Sequence, residues 1–243
     1  LKRATPILID GMRRLEYRGY DSTGIAVKDG DISVFKKIGK VSEMQSILPL
    51  DIQGTSGIGH TRWATHGGVT DANAHPHAST SGEIVIVHNG IINNSRLLRA
   101  SLMAQGVELK SETDSEALAH MIEIELSIDN DPEAAVRRAL QKAVGTWGLC
   151  VLFKNHDLIV VARNGSPLVI GKGDGETFIS SDGPTLSEFT DRVVYLEDGD
   201  IAVVTATSIK RSSLKGDSKK VEITVLEKSW GEAELGEYEH FML

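Results

Sequence analysis

The sequence predicts an α+β fold: stacked antiparallel sheets with helices packed outside. Three observations carry this. Helical patterns fall mainly between two strand-rich regions, and the strands after Gly145 are short and closely spaced. No G-x-G-x-x-G follows a strand into a helix and no P-loop is present, so a βαβ winding finds no support.

The elements follow in order. Thr5-Pro6 reads as a helix cap with proline at the first helical position. Leu8, Met12 and Leu15 recur at helical spacing, and Gly19 marks the stop. RGYDSTGIAV is a turn-rich entry to a strand at Gly24–Lys28, and SVFKKIGK reads as a second strand. EIVIVHNG is a buried strand ending at Asn89-Gly90. A helix is expected from about Asn94 to Gln105, stopped by Gly106. SETDSEALAHMIEIEL has the polar start and apolar spacing of another, with Ser or Asp as its cap. DPEAAVRRALQKAV repeats the cap-then-proline pattern, with Val136, Leu140 and Val144 on one face. GLCVLF, LIVVAR, PLVIGK, TFISS, RVVYLEDGDIAVVT and KVEITVLE then read as strands, with Asp198-Gly199 as a hairpin signal.

The 243 residues suffice for one large or two small domains with a buried core. A net charge of −8 disfavours nucleic acid and anionic lipid as partners. No apolar run approaches the roughly 20 residues that span a bilayer. The chain opens LKRATPILID and passes straight into a helical pattern, with no secretory leader in it. Cys150 is the single cysteine. It fits a reducing, cytoplasmic compartment, and its apolar strand makes it a structural, unreactive thiol.

HTRWATHGGVTDANAHPH, residues 60–77, is the densest polar segment. A metal site is disfavoured there. His60, His66, His75 and His77 are irregularly spaced, Gly67-Gly68 and Asn73 break any helix, and no cysteine is near. A surface loop with strand-end histidines is the plain reading. Arg62-Trp63 points further. A guanidinium grips a planar carboxylate through two parallel hydrogen bonds, a tryptophan closes over a small ligand, and Gly67 and Gly68 let such a loop move. The alternative for Arg62 is a surface salt bridge. Asn89-Gly90 is either a type I′ turn or an oxyanion hole made of a side-chain amide and a backbone N–H. Asp114 is either part of a helix start or the partner of an ammonium group. Arg62 with Asp114 would hold both ends of a free amino acid.

LEYRGYDSTGIAV, HTRWATHG, NAHPH, VHNGIINN and SETDSE, in this order and spacing, resemble the N-terminal glutaminase domain of the glutamine–fructose-6-phosphate aminotransferases, or glucosamine-6-phosphate synthases. RNGSPLVIG and FISSD extend the resemblance, and YEHFML is similar to the entry to their sugar-isomerase half. The resemblance implies a class II glutamine amidotransferase with a four-layer αββα fold of the N-terminal-nucleophile (Ntn) hydrolase type, two antiparallel sheets between helical layers. It divides the chain into a glutaminase domain, 1–228, and a linker, 229–243.

The family's nucleophile is an N-terminal cysteine whose own α-amine is the general base. Residue 1 here is Leu. By the family pattern about eight residues, the size of a short strand, are expected upstream, holding the nucleophile and an inner strand. By resemblance, Arg62 binds the α-carboxylate of L-glutamine and Asp114 the α-ammonium. Asn89 and the Gly90 amide form the oxyanion hole. Trp63, Thr65 and His66 belong to the covering loop, and Arg18 helps position the N-terminus. His75 and His77 order a loop or a domain contact and carry no chemistry. The thiolate attacks the side-chain amide, ammonia leaves, and the γ-glutamyl thioester is hydrolysed. The ammonia passes to fructose 6-phosphate in the isomerase half. The resemblance implies no metal and no cofactor, and a homo-oligomeric full-length protein. Two alternatives stand beside this: a non-catalytic glutamine-binding module, and another class II amidotransferase feeding a phosphoribosyl or asparagine-forming partner.

Overall fold

The computed structural model describes residues 2–63 and 67–226. Helix α1 (Ala4–Leu15) turns Ile9 and Met12 into the interior and ends in a 3-10 turn, Glu16–Arg18, before Gly19 at φ 91°. It starts ahead of the Thr5-Pro6 pair that marks it in the sequence. Arg3 is the N-cap and makes no side-chain capping bond. Pro6 sits in the first turn, where a missing N–H costs nothing. Strands β1 (Ser22–Asp29) and β2 (Asp31–Ile38) form a hairpin, followed by α2 (Val41–Gln45) and β3 (Ser56–Arg62).

Next come β4 (His77–Ala78), β5 (Ile84–Asn89) and helices α3 (Ser95–Ala104), α4 (Asp114–Asp129) and α5 (Pro132–Lys142). The cap of α4 is Thr113, whose side chain accepts from Glu116 N–H, rather than Ser111 or Asp114. Asp131 caps α5 with bonds from Glu133 and Ala134, as its cap-then-proline pattern predicts. That helix ends at Lys142, so Val144 lies beyond it and is exposed instead of sharing the face of Val136 and Leu140.

The rest of the described chain is strand: β6 (Trp147–Phe153), β7 (Ile159–Asn164), β8 (Val169–Lys172), β9 (Thr177–Ser180), β10 (Arg192–Tyr195), β11 (Asp200–Val204), β12 (Ile209–Ser213), β13 (Ser218–Lys219) and β14 (Thr224–Val225). Asp198-Gly199 does not close a hairpin. It carries the chain from one sheet to another, because β10 pairs with β8 and β14 while β11 pairs with β7 and β12. Strand β12, IKRSS, is too polar to have shown in the apolar pattern. The expected linker, 229–243, lies outside the described residues.

The strands form antiparallel sheets in the orders β2-β1-β3, β14-β10-β8-β9 and β13-β12-β11-β7-β6-β5-β4. The two smaller sheets pack on one face of the seven-stranded sheet. Ala26 and Ile58 from one, and Ile170 and Val194 from the other, meet Val87, Leu152 and Val161 there. Helices α3, α4 and α5 cover the opposite face, where Leu118, Ile122 and Leu140 pack on Ile84, Ile86 and Leu149. Helix α1 covers the outer side of both smaller sheets: Leu8 and Met12 pack with Ile25 and Val27, Ile7 with Val169 and Val193. The order of layers is thus helix, sheet, sheet, helix. Each fully buried Leu or Ile contributes about 1.5–3 kcal/mol to this stacking. Among the described residues no helix is long and apolar enough to cross a membrane.

Cys150 lies in β6, free and buried, and burial pushes its thiol up to about 12. It is expected to resist a thiol reagent at pH 8 in the folded state and to react at the rate of a free cysteine in denaturant. Rapid labelling of the native protein, followed by peptide mapping, would refute this.

Candidate active site

Among the described residues strands β3 and β9 each end a sheet, and both line a cavity of about 540 Å³. Arg18, Arg62, Trp63, Asn89, Gly90 and Asp114 all line it. Residues up to 96 positions apart, Arg18 and Asp114 (114 − 18), are therefore brought to one space. Thr65 and His66 lie outside the described residues.

Arg62 ends β3. It is 4% exposed, its Nη1 lies 3.6 Å from Asp21 Oδ1, and it donates to the Gly68 carbonyl at 3.4 Å. This is a buried pairing and not the surface salt bridge that was the alternative. Trp63, the next residue, is 68% exposed. Its ring lies against Gly19, so close that a Cβ there would sit 2.5 Å from Trp63 Cε3.

Asp114 is the first residue of α4. A carboxylate there meets the positive end of the helix dipole. Its Oδ2 accepts from Ile92 N–H at 2.7 Å, and among the described residues Oδ1 has only a long contact from Ser115 Oγ, 3.4 Å. The residue is 5% exposed, and among the described residues no cation pairs with it. The helix start is held by Glu116, whose carboxylate accepts from Lys110 and Ser111 N–H at 2.6 and 2.8 Å. Burial works against that charge, yet the His120 ring 3.8 Å away and hydrogen bonds from Lys110 N–H and from the N–H and hydroxyl of Ser111 hold it at about 2.

Asn89 ends β5 opposite Gly148, and Gly90 follows at φ 137°. The chain then bridges Ile92 to Gly145 and enters α3, so Asn89-Gly90 is not a type I′ turn. Asn89 Oδ1 lies 2.8 Å from His60 Nε2. Beneath it, His88 Nε2–H donates to the Thr146 carbonyl at 3.1 Å and Nδ1 takes the Ser115 hydroxyl at 2.9 Å. Arg18 pairs with Asp182 at 3.2 Å and donates to Tyr17 Oη at 2.8 Å.

His60, His75 and His77 form a knot, while residues 67–72 of the same run are exposed as a surface loop would be. His60 stacks on His75 at 4.3 Å, and His77 meets His75 edge-on at 4.6 Å. His75 and His77 are buried. Burial lowers His60 to about 4 and His77 to about 3, and pushes His75 well below the ordinary value. The Lys36 ammonium donates to the carbonyls of Ala72, Ala74 and Pro76 at 2.8–3.2 Å and ties this loop to β2. Among the described residues no group of three His, Cys, Asp or Glu side chains could hold a metal ion.

Sequence reasoning gave Glu112 no role, but it clips the segment after the covering loop. Its carboxylate accepts from Gly68 N–H at 3.2 Å and Asn73 Nδ2 at 3.1 Å, and its own N–H donates to Asn73 Oδ1 at 2.8 Å. Gly67 and Gly68, read as hinges, are thus next to an anchor. A pairing of residues 39 apart leaves no local sequence signal. The same is true of His60 and Asn89, which lie on different sheets.

A model of the family described as "Glutamine amidotransferase domain" matches residues 60–188. The chain is 47% identical to a glutamine–fructose-6-phosphate aminotransferase (isomerizing) of Chlorobaculum tepidum, across all of this chain and 41% of that one. It is 46% identical to the protein of that name in Idiomarina loihiensis, across all of this chain and 40% of that one. The chain therefore spans about two-fifths of these relatives' length. Among solved structures, a glutamine phosphoribosylpyrophosphate amidotransferase from B. subtilis superposes with a TM-score of 0.75 at 23% identity, covering 90% of this chain and 48% of that one. That likeness shows the fold, the helix–sheet–sheet–helix stacking described above. The match to the family model takes in over half of the residues and holds Arg62, Asn89, Gly90 and Asp114, so the chain belongs to the family of glutamine amidotransferase domains.

Proposed function

We propose that this domain hydrolyses L-glutamine to glutamate and ammonia, and that the ammonia serves a sugar-isomerase half, where it aminates fructose 6-phosphate to glucosamine 6-phosphate. The observation that carries the first part is Asp114, a buried carboxylate with no cation beside it among the described residues, on the cavity that Arg62 also lines. Buried carboxylates are normally paired, so the cavity favours a ligand bearing an ammonium group. Arg62 supplies the fork for that ligand's carboxylate. The names of the relatives support the second part.

In this reading Arg62 and Asp114 hold the two charged ends of glutamine, and Trp63 covers it together with Thr65 and His66. The side-chain amide then lies at Asn89-Gly90. A cysteine thiolate, carried by an extended segment in the slot between β3 and β9 and positioned by Arg18, attacks the amide carbon. Asn89 Nδ2 and the Gly90 N–H stabilise the oxygen as it gains charge. The α-amine of that cysteine takes the thiol proton and passes it to the leaving ammonia. Water then cleaves the γ-glutamyl thioester, releasing glutamate and the thiol.

The test is glutamate release by the full-length polypeptide with its N-terminal cysteine confirmed by mass. Asp114→Asn keeps the shape and removes the charge. It is expected to raise the KM for glutamine at least 30-fold, about 2 kcal/mol or more for truncating one side of a buried charge pair. An unchanged KM would remove Asp114 from the site, and no glutamate release by the parent would remove the activity.

A further inference from the structure

An asparagine amide presents a donor on one side and an acceptor on the other. Only the donor stabilises a developing negative oxygen; the acceptor repels it. What turns Asn89 the right way is therefore part of the chemistry, and among the described residues its Oδ1 has a single partner, His60 Nε2 at 2.8 Å, across the interface between two sheets. Nδ2 has no partner among the described residues.

The His60 ring can carry its proton on either nitrogen. Nδ1 is enclosed and has no hydrogen-bond partner. A proton there would be an unsatisfied buried donor, which is unfavourable. A proton on Nε2 meets the Asn89 oxygen. The surroundings thus select the Nε2–H form, and that form selects the amide orientation. With the other tautomer Asn89 would turn its NH2 to the ring and its oxygen to the cavity. His75, stacked on His60 at 4.3 Å, keeps the ring in plane. Burial keeps His60 neutral, at about 4.

We propose that His60 is a positioning residue for glutamine hydrolysis: its Nε2–H holds Asn89 Oδ1, so that Nδ2 faces the cavity as a donor to the oxyanion. This rests on the reading of Asn89-Gly90 as the oxyanion hole. In this role the residue acts through Asn89 and contributes no group to the reacting atoms.

The experiment uses the full-length polypeptide and steady-state glutamate release. His60→Phe removes the donor and keeps an aromatic ring on His75. It is expected to lower kcat about 10²–10³-fold, the loss seen when one oxyanion donor goes, with KM for glutamine within threefold. His60→Gln can donate from its amide and is expected to restore kcat to within tenfold of the parent. Asn89→Ala should match His60→Phe, and the double variant should be no slower than either alone. If Asn89→Ala leaves kcat intact, the oxyanion-hole reading fails. If Asn89→Ala lowers kcat and a folded His60→Phe does not, the positioning role alone fails. Should His60→Phe fail to fold, 15N NMR of the parent's imidazoles decides: a neutral Nε2–H tautomer at His60 supports the assignment, and an Nδ1–H tautomer overturns it.

Discussion

Gly90→Ala is expected to lower stability by about 2–6 kcal/mol and to leave no measurable glutamine hydrolysis. The backbone there has φ 137°, which side chains rarely adopt, and an added Cβ would lie 2.2 Å from the Thr146 carbonyl oxygen and 3.0 Å from its hydroxyl oxygen. The strained conformation costs about 1–3 kcal/mol and the overlap a similar amount. Relief requires β5 to move from the segment before β6. Thr146 cannot yield alone, because its carbonyl accepts from His88 and its hydroxyl from Ile91 N–H. At about 2–4 °C per kcal/mol for a domain of this size, Tm should fall by roughly 5–20 °C. A variant melting within 2 °C of the parent would show that the corner is looser than described. One that stays folded but inactive would isolate the chemical contribution.

Acid should unfold the domain early. A histidine whose folded pKa lies below the unfolded value of about 6.5 takes up its proton first in the unfolded chain. Its contribution to stability is whole above pH 6.5 and declines as pH falls, until the folded pKa is reached. His60 at about 4, His77 at about 3 and His75 well below the ordinary value all meet this condition, chiefly through burial, and His88 is lowered as well. From pH 7 to pH 5 His60 and His77 each cost about 2 kcal/mol, roughly 4 kcal/mol together, and His75 acts in the same direction. Total stabilities are about 5–15 kcal/mol, so much of the margin goes before the carboxylates begin to titrate. Urea unfolding at pH 7 and pH 5 measures this directly, and a difference below 2 kcal/mol would mean that the knot accepts protons while folded.

The layers were legible where the apolar pattern was strong. EIVIVHNG, GLCVLF and LIVVAR read as buried strands because each is apolar on both faces, and they are the centre of the seven-stranded sheet. Asp131-Pro132 and Thr113 show the same for helix starts: a cap is a local device, and local devices are readable even when the residue chosen is one position off. Asp198-Gly199 shows the limit, since the dipeptide favours a turn but does not say whether the strands beside it pair with each other. The histidine run was the least readable. Polar residues are read as exposed by default, and nothing in 60–77 reveals that Lys36 draws three carbonyls of its loop onto β2. For the site, Arg62, Asn89 and Asp114 stood out by residue type, and resemblance assigned their roles. Their shared cavity, the Glu112 clip and the His60–Asn89 bond depend on tertiary placement.

Glu112 and Asp114 have a single residue, the cap Thr113, between them. One fastens the strap that follows the covering segment, and the other faces the ligand's ammonium in the proposed reading. With so short a tether, the strap's anchor and the seat of the amino group are set by one helix start, and in that reading a shift of this start would displace both. Evolution or design would find it hard to tune how firmly this domain holds its ligand without also retuning how readily it lets go.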